Sequence, residues 1–168
     1  MTELQRLHAG HSSALLAFEL ANRAYFAASI SDRGDDFFEE FAERLDALLV
    51  EQEADVCACH VLVAEDGSVV GRFNLMDIER ERGTAVLGYR VARHVAGRGV
   101  ATAAVGDLCR LARARHGLRT LRAAAAHANV ASQRVLSKAG FVPIGAADPA
   151  HLGGKPGSWY QRDLGAEP

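Results

Sequence analysis

A pair of glycines between a strand-like segment and the longest helix-like segment constrains this chain more than any other feature. The run from Val95 to Ala101, VAGRGVA, follows the strand-like Thr84–Val91 and leads into the alanine-rich Val100–His116, which Gly117 ends. Such a turn presents successive backbone N–H groups at a helix N-terminus, where a partial positive charge favours an anion. Glycine lets a phosphate approach closely because it has no Cβ. The turn is therefore either a pyrophosphate site or an ordinary start of a helix.

Two other nucleotide-binding patterns fit this turn poorly. A dinucleotide fingerprint needs Gly-x-Gly-x-x-Gly, and Thr102 stands where its third glycine would be. A P-loop needs Gly-Lys-Ser/Thr, which the turn lacks. The turn also follows the third predicted strand, whereas a Rossmann unit carries its glycine turn after the first. Both of those cofactor classes are disfavoured.

The spacing of apolar residues predicts a mixed α/β domain over residues 1–168. Helical spacing changes to short β-rich runs after Ala54, and helices and strands then alternate. A hairpin turn is predicted over Glu65–Ser68, a charged turn over Met76–Gly83 and a loop over Asp148–Gly157. The predicted helices are Ser12–Ser29, Asp36 to about Glu51, Val100–His116 and Ala131–Ala139; the predicted strands are Val56–Val63, Val69–Leu75, Thr84–Val91, Leu118–Ala126, Phe141–Gly145 and Ser158–Leu164.

Composition restricts the class of protein. The chain has 168 residues, 49% hydrophobic and 24% charged, which is typical of one globular domain. A net charge of −2 gives no footprint for nucleic acid or a membrane surface. Without a signal-like or membrane-spanning apolar segment, we expect a cytoplasmic protein. Cys57, Cys59 and Cys109 lack the pattern of a zinc site, so no metal is expected and the cysteines are predicted to be buried small hydrophobes.

Two motifs in order resemble those of the GNAT N-acetyltransferases. Leu87–Val91 followed by the glycine turn resembles the family's acetyl-CoA pyrophosphate motif, and Asn129–Phe141 resembles its later N-x-x-S…G-F segment. The resemblance covers Val56–Leu164 well and the first two helices loosely, and the RimJ/RimL branch is the most similar. It implies a GNAT fold, in which a central mixed sheet with flanking helices splays one strand pair to admit acetyl-CoA.

The resemblance also implies roles for individual residues. Backbone amides of the glycine turn would hold the CoA pyrophosphate, main-chain groups of the third strand would pair with the pantetheine arm, Asn129 would reach that arm, and Ser132 would protonate the departing thiolate. The alternative is that Asn129 and Ser132 cap a helix and Thr102 only starts one. The implied cofactor-binding residues are Tyr89, Val91, Arg93, Gly97, Arg98, Gly99, Ala101, Thr102, Asn129 and Ser132.

The sequence departs from the family pattern at three places. Ala96 replaces a polar residue of the loop, and Leu136 stands where many members carry a tyrosine general acid. Val86 and Leu87 occupy the position of the glutamate base of RimL-like enzymes. Two substitutes for that base have the right chemistry. They are Glu19 and His127. The alternative for Glu19 is a residue on a solvated helix face, and the alternative for His127 is a histidine at the end of a strand.

The implied reaction is direct attack of a neutral primary amine on the thioester, with no nucleophilic role for the cysteines. Without a strong base, the acceptor should be weakly basic. An α-amine with a pKa near 8 is about 10% neutral at pH 7 and a lysine amine about 0.04%, a difference of about 3 kcal/mol. A protein N-terminus or small-molecule amine is therefore favoured over lysine, although lysine and antibiotic acceptors stay open. A homodimer is compatible with the resemblance, and a non-catalytic acyl-CoA sensor is the alternative function.

Overall fold

A seven-stranded mixed sheet forms the centre of the protein in the computed structural model, which describes residues 1–165. The strand order is β1-β2-β3-β4-β5-β7-β6. Neighbouring strands are antiparallel except for β4 and β5, which are parallel. The strands are β1 (Thr2–Arg6), β2 (Ala58–Ala64), β3 (Val69–Glu79), β4 (Thr84–Val91), β5 (Thr120–Ala126), β6 (Val142–Ala147) and β7 (Gly157–Asp163).

Six helices accompany the sheet within the described residues. Helices α1 and α5 both pack against β3, and their apolar residues join those of the sheet in one core. Helix α5 covers the predicted range, and Gly117 ends it in the left-handed conformation at φ 62°. The helices are α1 (Ser12–Ala21), α2 (Arg23–Ala27), α3 (Asp35–Glu39), α4 (Phe41–Glu53), α5 (Val100–His116) and α6 (Val130–Lys138). None of the helices in residues 1–165 has the length and apolar character needed to cross a bilayer.

The two N-terminal helices are each broken, which apolar spacing did not predict. The predicted Ser12–Ser29 helix divides at Asn22, whose buried side chain donates to the Phe18 carbonyl and accepts from the Arg93 amide. A side chain that binds distant backbone in this way competes with the regular helix. The second predicted helix divides at Glu40 into α3 and α4. The break at Asn22 therefore depends on tertiary structure rather than on local propensity.

Strand β1 was also missed from the sequence. It lies at the edge of the sheet and pairs only with β2, from Thr2 opposite Ala64 to Arg6 opposite His60. Its five residues are exposed or half-buried, so the segment has no apolar signal and is held by backbone hydrogen bonds. Strand β3 runs to Glu79, through the first half of what was predicted as a charged turn, with a register shift after Met76. The remaining strands lie within a few residues of their predicted ranges.

Strands β4 and β5 separate along their length, and this separation positions the site. They pair only from Thr84 opposite Thr120 to Val86 opposite Arg122. Beyond that point Leu87–Val91 pairs with β3 alone, and Ala123–Ala126 pairs with β7 alone. Each segment therefore leaves main-chain N–H and C=O groups facing a gap in the middle of the sheet.

Candidate active site

Two adjoining cavities lie along the separated part of β4: one extends toward the glycine turn and α6, and the other lies between β4 and β5. The first, the glycine-loop cavity, has a volume of about 140 Å³ and is lined by Phe26, Val91, Gly97, Ala101 and Val135 among others. The second, the arginine cavity, has a volume of about 360 Å³ and is lined by Arg33, Arg72, Asn74, Gly88 and His151 among others. Six residues line both: Ser29, Ile30, Tyr89, Arg90, Asn129 and Ser132. The two spaces are therefore one site with two ends.

The glycine turn opens into the first cavity. Gly97 and Gly99 both have φ 76°, and a Cβ built on either meets nothing within 4 Å. Gly99 is the N-cap of α5, and no side chain among residues 1–165 caps that helix. The first amides of α5 therefore face open space without a side-chain partner, which is the arrangement that binds a phosphate. Arg98 is exposed beside the turn.

Other predicted cofactor residues have different surroundings. Val91 and Ala101 line the glycine-loop cavity, while Thr102 lies on α5 beside a neighbouring groove that Lys138 also lines. We expected Arg93 to lie along the groove, but it does not. Its amide donates to Asn22 Oδ1 at 3.0 Å and its carbonyl accepts from Ala96 at 3.2 Å, so both main-chain groups are used within the protein.

A tyrosine and a serine meet where the two cavities join. The Tyr89 hydroxyl lies 2.9 Å from Ser132 Oγ, and the Tyr89 ring stacks on Phe73 with centroids 5.7 Å apart. Burial raises the pKa of Tyr89 above its usual value, so the phenol is protonated at neutral pH. Leu136, at the family's tyrosine position, is fully buried in the core. A phenol from β4 thus stands beside Ser132, a side-chain role that sequence reasoning did not give to Tyr89.

Asn129 caps α6, one of the two alternatives drawn from the sequence. Its Oδ1 accepts from the Ser132 amide at 3.2 Å. The Ser132 hydroxyl is not part of this cap and bonds to Tyr89 instead. Asn129 also lines both cavities, so the side chain that caps the helix lies at the site as well.

Neither candidate base lines the site. Glu19 is 1% exposed, so it does not lie on a solvated helix face. It contacts three arginines. Glu19 itself lines neither cavity. His127 is exposed, and its Nε2 lies 3.1 Å from Ser158 Oγ. The imidazole that lines the arginine cavity is that of His151, whose ring packs near Trp159.

Glu19 holds together the positive charge of the arginine cavity. Arg33 donates to it through Nε at 2.6 Å, while single nitrogens of Arg72 and Arg90 lie 3.6 and 3.5 Å from its oxygens. Burial, followed by the charge of Arg33, lowers the pKa of Arg72 and lowers that of Arg90 to about 10. At a pKa of about 10, Arg90 is charged at neutral pH, and arginine side chains in general keep their proton in proteins.

Sequence reasoning missed the arginine cavity, although part of it had a signal. Arg72 and Asn74 alternate with Phe73 and Leu75 in a predicted strand, and an arginine in such an apolar run is seldom buried without a partner. The approach of Glu19 to Arg33 and Arg90 has no such signal, because it depends on how α1 and the following loop fold over β3 and β4.

The cysteines are buried thiols, as predicted. Burial raises the pKa of Cys57 and Cys109 and raises that of Cys59 to about 12. A thiol that holds its proton is a poor nucleophile. Within residues 1–165, no group of three or more His, Cys, Asp or Glu side chains is placed to hold a metal ion.

Comparison with known proteins defines the class to which this fold and groove belong. A family model described as acetyltransferase (GNAT) domain matches residues 4–142. The chain therefore belongs to the GNAT acetyltransferase family. It is an N-acetyltransferase, and enzymes of this family use acetyl-CoA. Comparison with curated protein sequences gave no match.

Solved structures share the whole fold at low sequence identity. A ribosomal-protein-S5-alanine acetyltransferase from Vibrio fischeri is 20% identical with a TM-score of 0.90, over 99% of this chain and 96% of that one. RimJ from Mycobacterium smegmatis, in complex with CoA-disulfide, is 20% identical with a TM-score of 0.86, over 96% and 81%. Spermidine N-acetyltransferase from Vibrio cholerae, in complex with CoA and spermine, is 15% identical with a TM-score of 0.80, over 98% and 96%. These likenesses confirm the predicted mixed-sheet fold.

Proposed function

We propose that this protein transfers the acetyl group of acetyl-CoA to a weakly basic primary amine, such as a peptide N-terminus or a small-molecule amine. The observation that carries the proposal is the junction of the two cavities at Tyr89 and Ser132. One cavity has the open glycine turn that suits a pyrophosphate. The other is a separate space for an acceptor. A proton donor stands between them, where the thioester would be.

The residues of the glycine-loop cavity fit acetyl-CoA. The amides of Gly97, Gly99 and Ala101 would hold the pyrophosphate, because the two glycines leave the volume of a Cβ free. The unpaired side of Leu87–Val91 would bind the pantetheine arm as a strand binds its neighbour, and Asn129 Nδ2 would donate to it. Arg98 and Thr102 would contribute at the edge of this site.

The Tyr89–Ser132 pair supplies the proton that the leaving group needs. As the amine nitrogen bonds to the acetyl carbon, the carbon–sulfur bond breaks and the sulfur keeps the electron pair. The Ser132 hydroxyl, hydrogen-bonded to the protonated Tyr89 phenol, would donate to that thiolate. The nitrogen loses its own proton to solvent or to a base. We therefore propose Ser132 as the general acid and Tyr89 as the residue that supports it.

The placement of the charged groups favours an acceptor that binds as a neutral amine. Glu19 and His127 line neither cavity, and no carboxylate stands among the described lining residues. We therefore propose that Glu19 organises the arginines rather than acting as the base. His151 is the titratable group on the arginine cavity best suited to receive a proton.

The missing carboxylate base also favours one alternative, a sensor that binds acyl-CoA without turning it over. The two functions are separated by incubating the protein with acetyl-CoA and a panel of α-amines, polyamines and lysine peptides, and measuring free CoA and acetylated products by mass spectrometry. N-acetylation that Ser132→Ala reduces supports the enzyme. CoA binding in calorimetry with no acetylated product supports the sensor, and the absence of CoA binding overturns both.

A preference for lysine is tested separately. A peptide with a free N-terminus and no lysine is compared with one that has a blocked N-terminus and one internal lysine. We expect at least tenfold higher kcat/KM on the free N-terminus at pH 7, because far more of that amine is neutral. A clear preference for lysine would contradict the proposed acceptor class.

A further inference from the structure

The arginine cavity has more positive charge than its own residues neutralise. Arg33, Arg72 and Arg90 all lie within 3.6 Å of the single carboxylate of Glu19, so three positive charges share one carboxylate. The nearby Asp32, whose charge also acts on Arg90, is itself paired with Arg23. All three arginines line the cavity, and none of its described lining residues is Asp or Glu. Charges this deeply placed are costly without a partner.

Arg72 carries the strongest sign of an absent partner. Its side chain is 8% exposed, yet its NH1 group has no hydrogen-bond acceptor among residues 1–165. The nearest Glu19 oxygen lies 3.6 Å away, beyond hydrogen-bonding distance. Buried polar groups are nearly always paired, so an unpaired guanidinium nitrogen on a cavity points to a ligand acceptor.

Among residues 1–165, an unpaired hydrogen-bond acceptor lies near the unpaired Arg72 donor. Asn74 Oδ1 is also buried and unpartnered within the described residues. Arg72 and Asn74 are two residues apart on β3 and therefore share a face of the sheet, opposite Arg90 and Gly88 on β4. A Cβ on Gly88 would meet nothing within 4 Å, so the floor between these side chains is open.

We propose that the acceptor is a primary amine that carries a carboxylate, and this rests on the function proposed above. Arg72, together with Arg33 or Arg90, binds the carboxylate, since guanidinium groups match carboxylate geometry. Asn74 Oδ1 accepts a hydrogen bond from the amine. The lining therefore supplies hydrogen-bond donors for the carboxylate and a hydrogen-bond acceptor for the amine N–H group. These groups lie on one face of the sheet, next to Tyr89 and Ser132.

The same charges disfavour a polyamine. A polyamine has two or more positive charges and no anion, and it would enter a cavity whose lining has an excess of arginine and no carboxylate. The cavity volume of about 360 Å³ is at the small end of ligand sites and suits an amino acid or the first residue of a peptide.

The test compares matched acceptors at pH 9, where α-amines with a pKa near 8 are mostly neutral. Peptides that begin with Asp or Glu are compared with the same peptides beginning with Asn or Gln, and free amino acids with their α-amides. Spermidine is the cationic control. We expect the carboxylate form to have at least tenfold higher kcat/KM in one of the two series, which also distinguishes a peptide from a metabolite. A ratio of one or less in both series, or a preference for spermidine, overturns the proposal.

Two arginine variants locate the effect. Arg33→Gln and Arg72→Gln should bring the carboxylate-to-amide ratio toward one while leaving CoA affinity unchanged. Arg80→Gln is the matched control, because Arg80 is an exposed arginine paired with Asp55 and lines neither cavity. If the buried Arg72 variant does not fold, the more exposed Arg33 variant decides. If the folded variants keep the carboxylate-to-amide ratio of the wild type, the assignment of these arginines to the carboxylate is wrong.

A binding measurement keeps this inference separate from the proposed activity. With CoA present, N-acetyl-amino acids and their α-amides, and N-acetyl peptides beginning with Asp or Asn, are tested by thermal shift. Stabilisation by a carboxylate form alone supports the inference even if no turnover is found. Equal or no stabilisation by both forms, in a protein that acetylates other amines, overturns the inference and leaves the N-acetyltransferase intact.

Discussion

The two ends of the site are built in different ways. The glycine-loop cavity has a backbone part, namely the glycine turn with its open Cβ positions, the first amides of α5 and a strand edge without a neighbour, while side chains such as Phe26, Val91 and Val135 line the rest. The charged side chains that line the arginine cavity come from a loop, β3 and β4, and Glu19 of α1 holds them from outside the lining. Backbone geometry suits a constant ligand, whereas side chains can differ without changing the fold. The first end therefore carries the motif of the family, and the second is the end that we propose to select the acceptor.

The largest predicted effect is a loss of CoA affinity, caused by a substitution in the glycine turn. Gly99→Val should raise the Kd for CoA at least 100-fold, or about 2.7 kcal/mol, because a branched side chain is strained at φ 76° and would occupy the phosphate cradle. Gly67→Val is the matched control, since Gly67 has φ 85° and an equally open Cβ position in the β2–β3 hairpin turn. Both variants should lose about 1–2 kcal/mol of stability, measured by denaturant unfolding. If Gly67→Val weakens CoA binding as much as Gly99→Val does, the cradle assignment is wrong.

The next effect lies at the junction. Tyr89→Phe keeps the ring that stacks on Phe73 and removes the hydroxyl at Ser132, so kcat should fall by roughly 100-fold while the Kd for CoA changes little. Tyr160→Phe, at a buried tyrosine that lines neither cavity, should leave kcat unchanged.

The pH profile tests the same group. The Tyr89 phenol can donate a hydrogen bond to Ser132 only while protonated, so its support of the general acid is lost as the pH rises through its pKa. Because burial raises the pKa of Tyr89 above 10, no alkaline loss due to this group should occur up to pH 10. A falling limb near pH 8 that Tyr89→Phe abolishes would show that its pKa is lowered instead.

The contrast between the two ends explains what the sequence could predict. The motif from Leu87 to Ala101 and the helix start at Asn129 are local, so a contiguous stretch of sequence predicts their geometry. Strand β1 and the break at Asn22 were missed because edge pairing and a long-range hydrogen bond decide them. Glu19 was a candidate base or, alternatively, a residue on a solvated helix face, and it is instead buried against arginines from later segments.

A smaller effect is confined to the side-chain end. Gly88→Val adds bulk to the open floor between Asn74 and the gap, and the backbone there needs no positive φ. We expect kcat/KM for the acceptor to fall about tenfold, or about 1.4 kcal/mol, with the CoA Kd and the melting temperature near those of the wild type. Gly88→Ala should show an intermediate loss. If both variants weaken CoA binding but not acceptor use, the arginine cavity is not the acceptor site.

The smallest predicted effect separates the two functions of Asn129, which are to cap α6 and to donate a hydrogen bond to the pantetheine arm. Asn129→Ala removes the cap on α6 and should cost about 1 kcal/mol of stability, while Asn129→Asp keeps an oxygen for the Ser132 amide and should not. Both variants lose the Nδ2 donor, so both should weaken CoA binding by a few-fold, as expected for one hydrogen bond worth about 1 kcal/mol. Unfolding curves and calorimetry measure the two quantities separately. If Asn129→Asp binds CoA like the wild type, Asn129 only caps the helix, and the pantetheine arm is held by backbone alone.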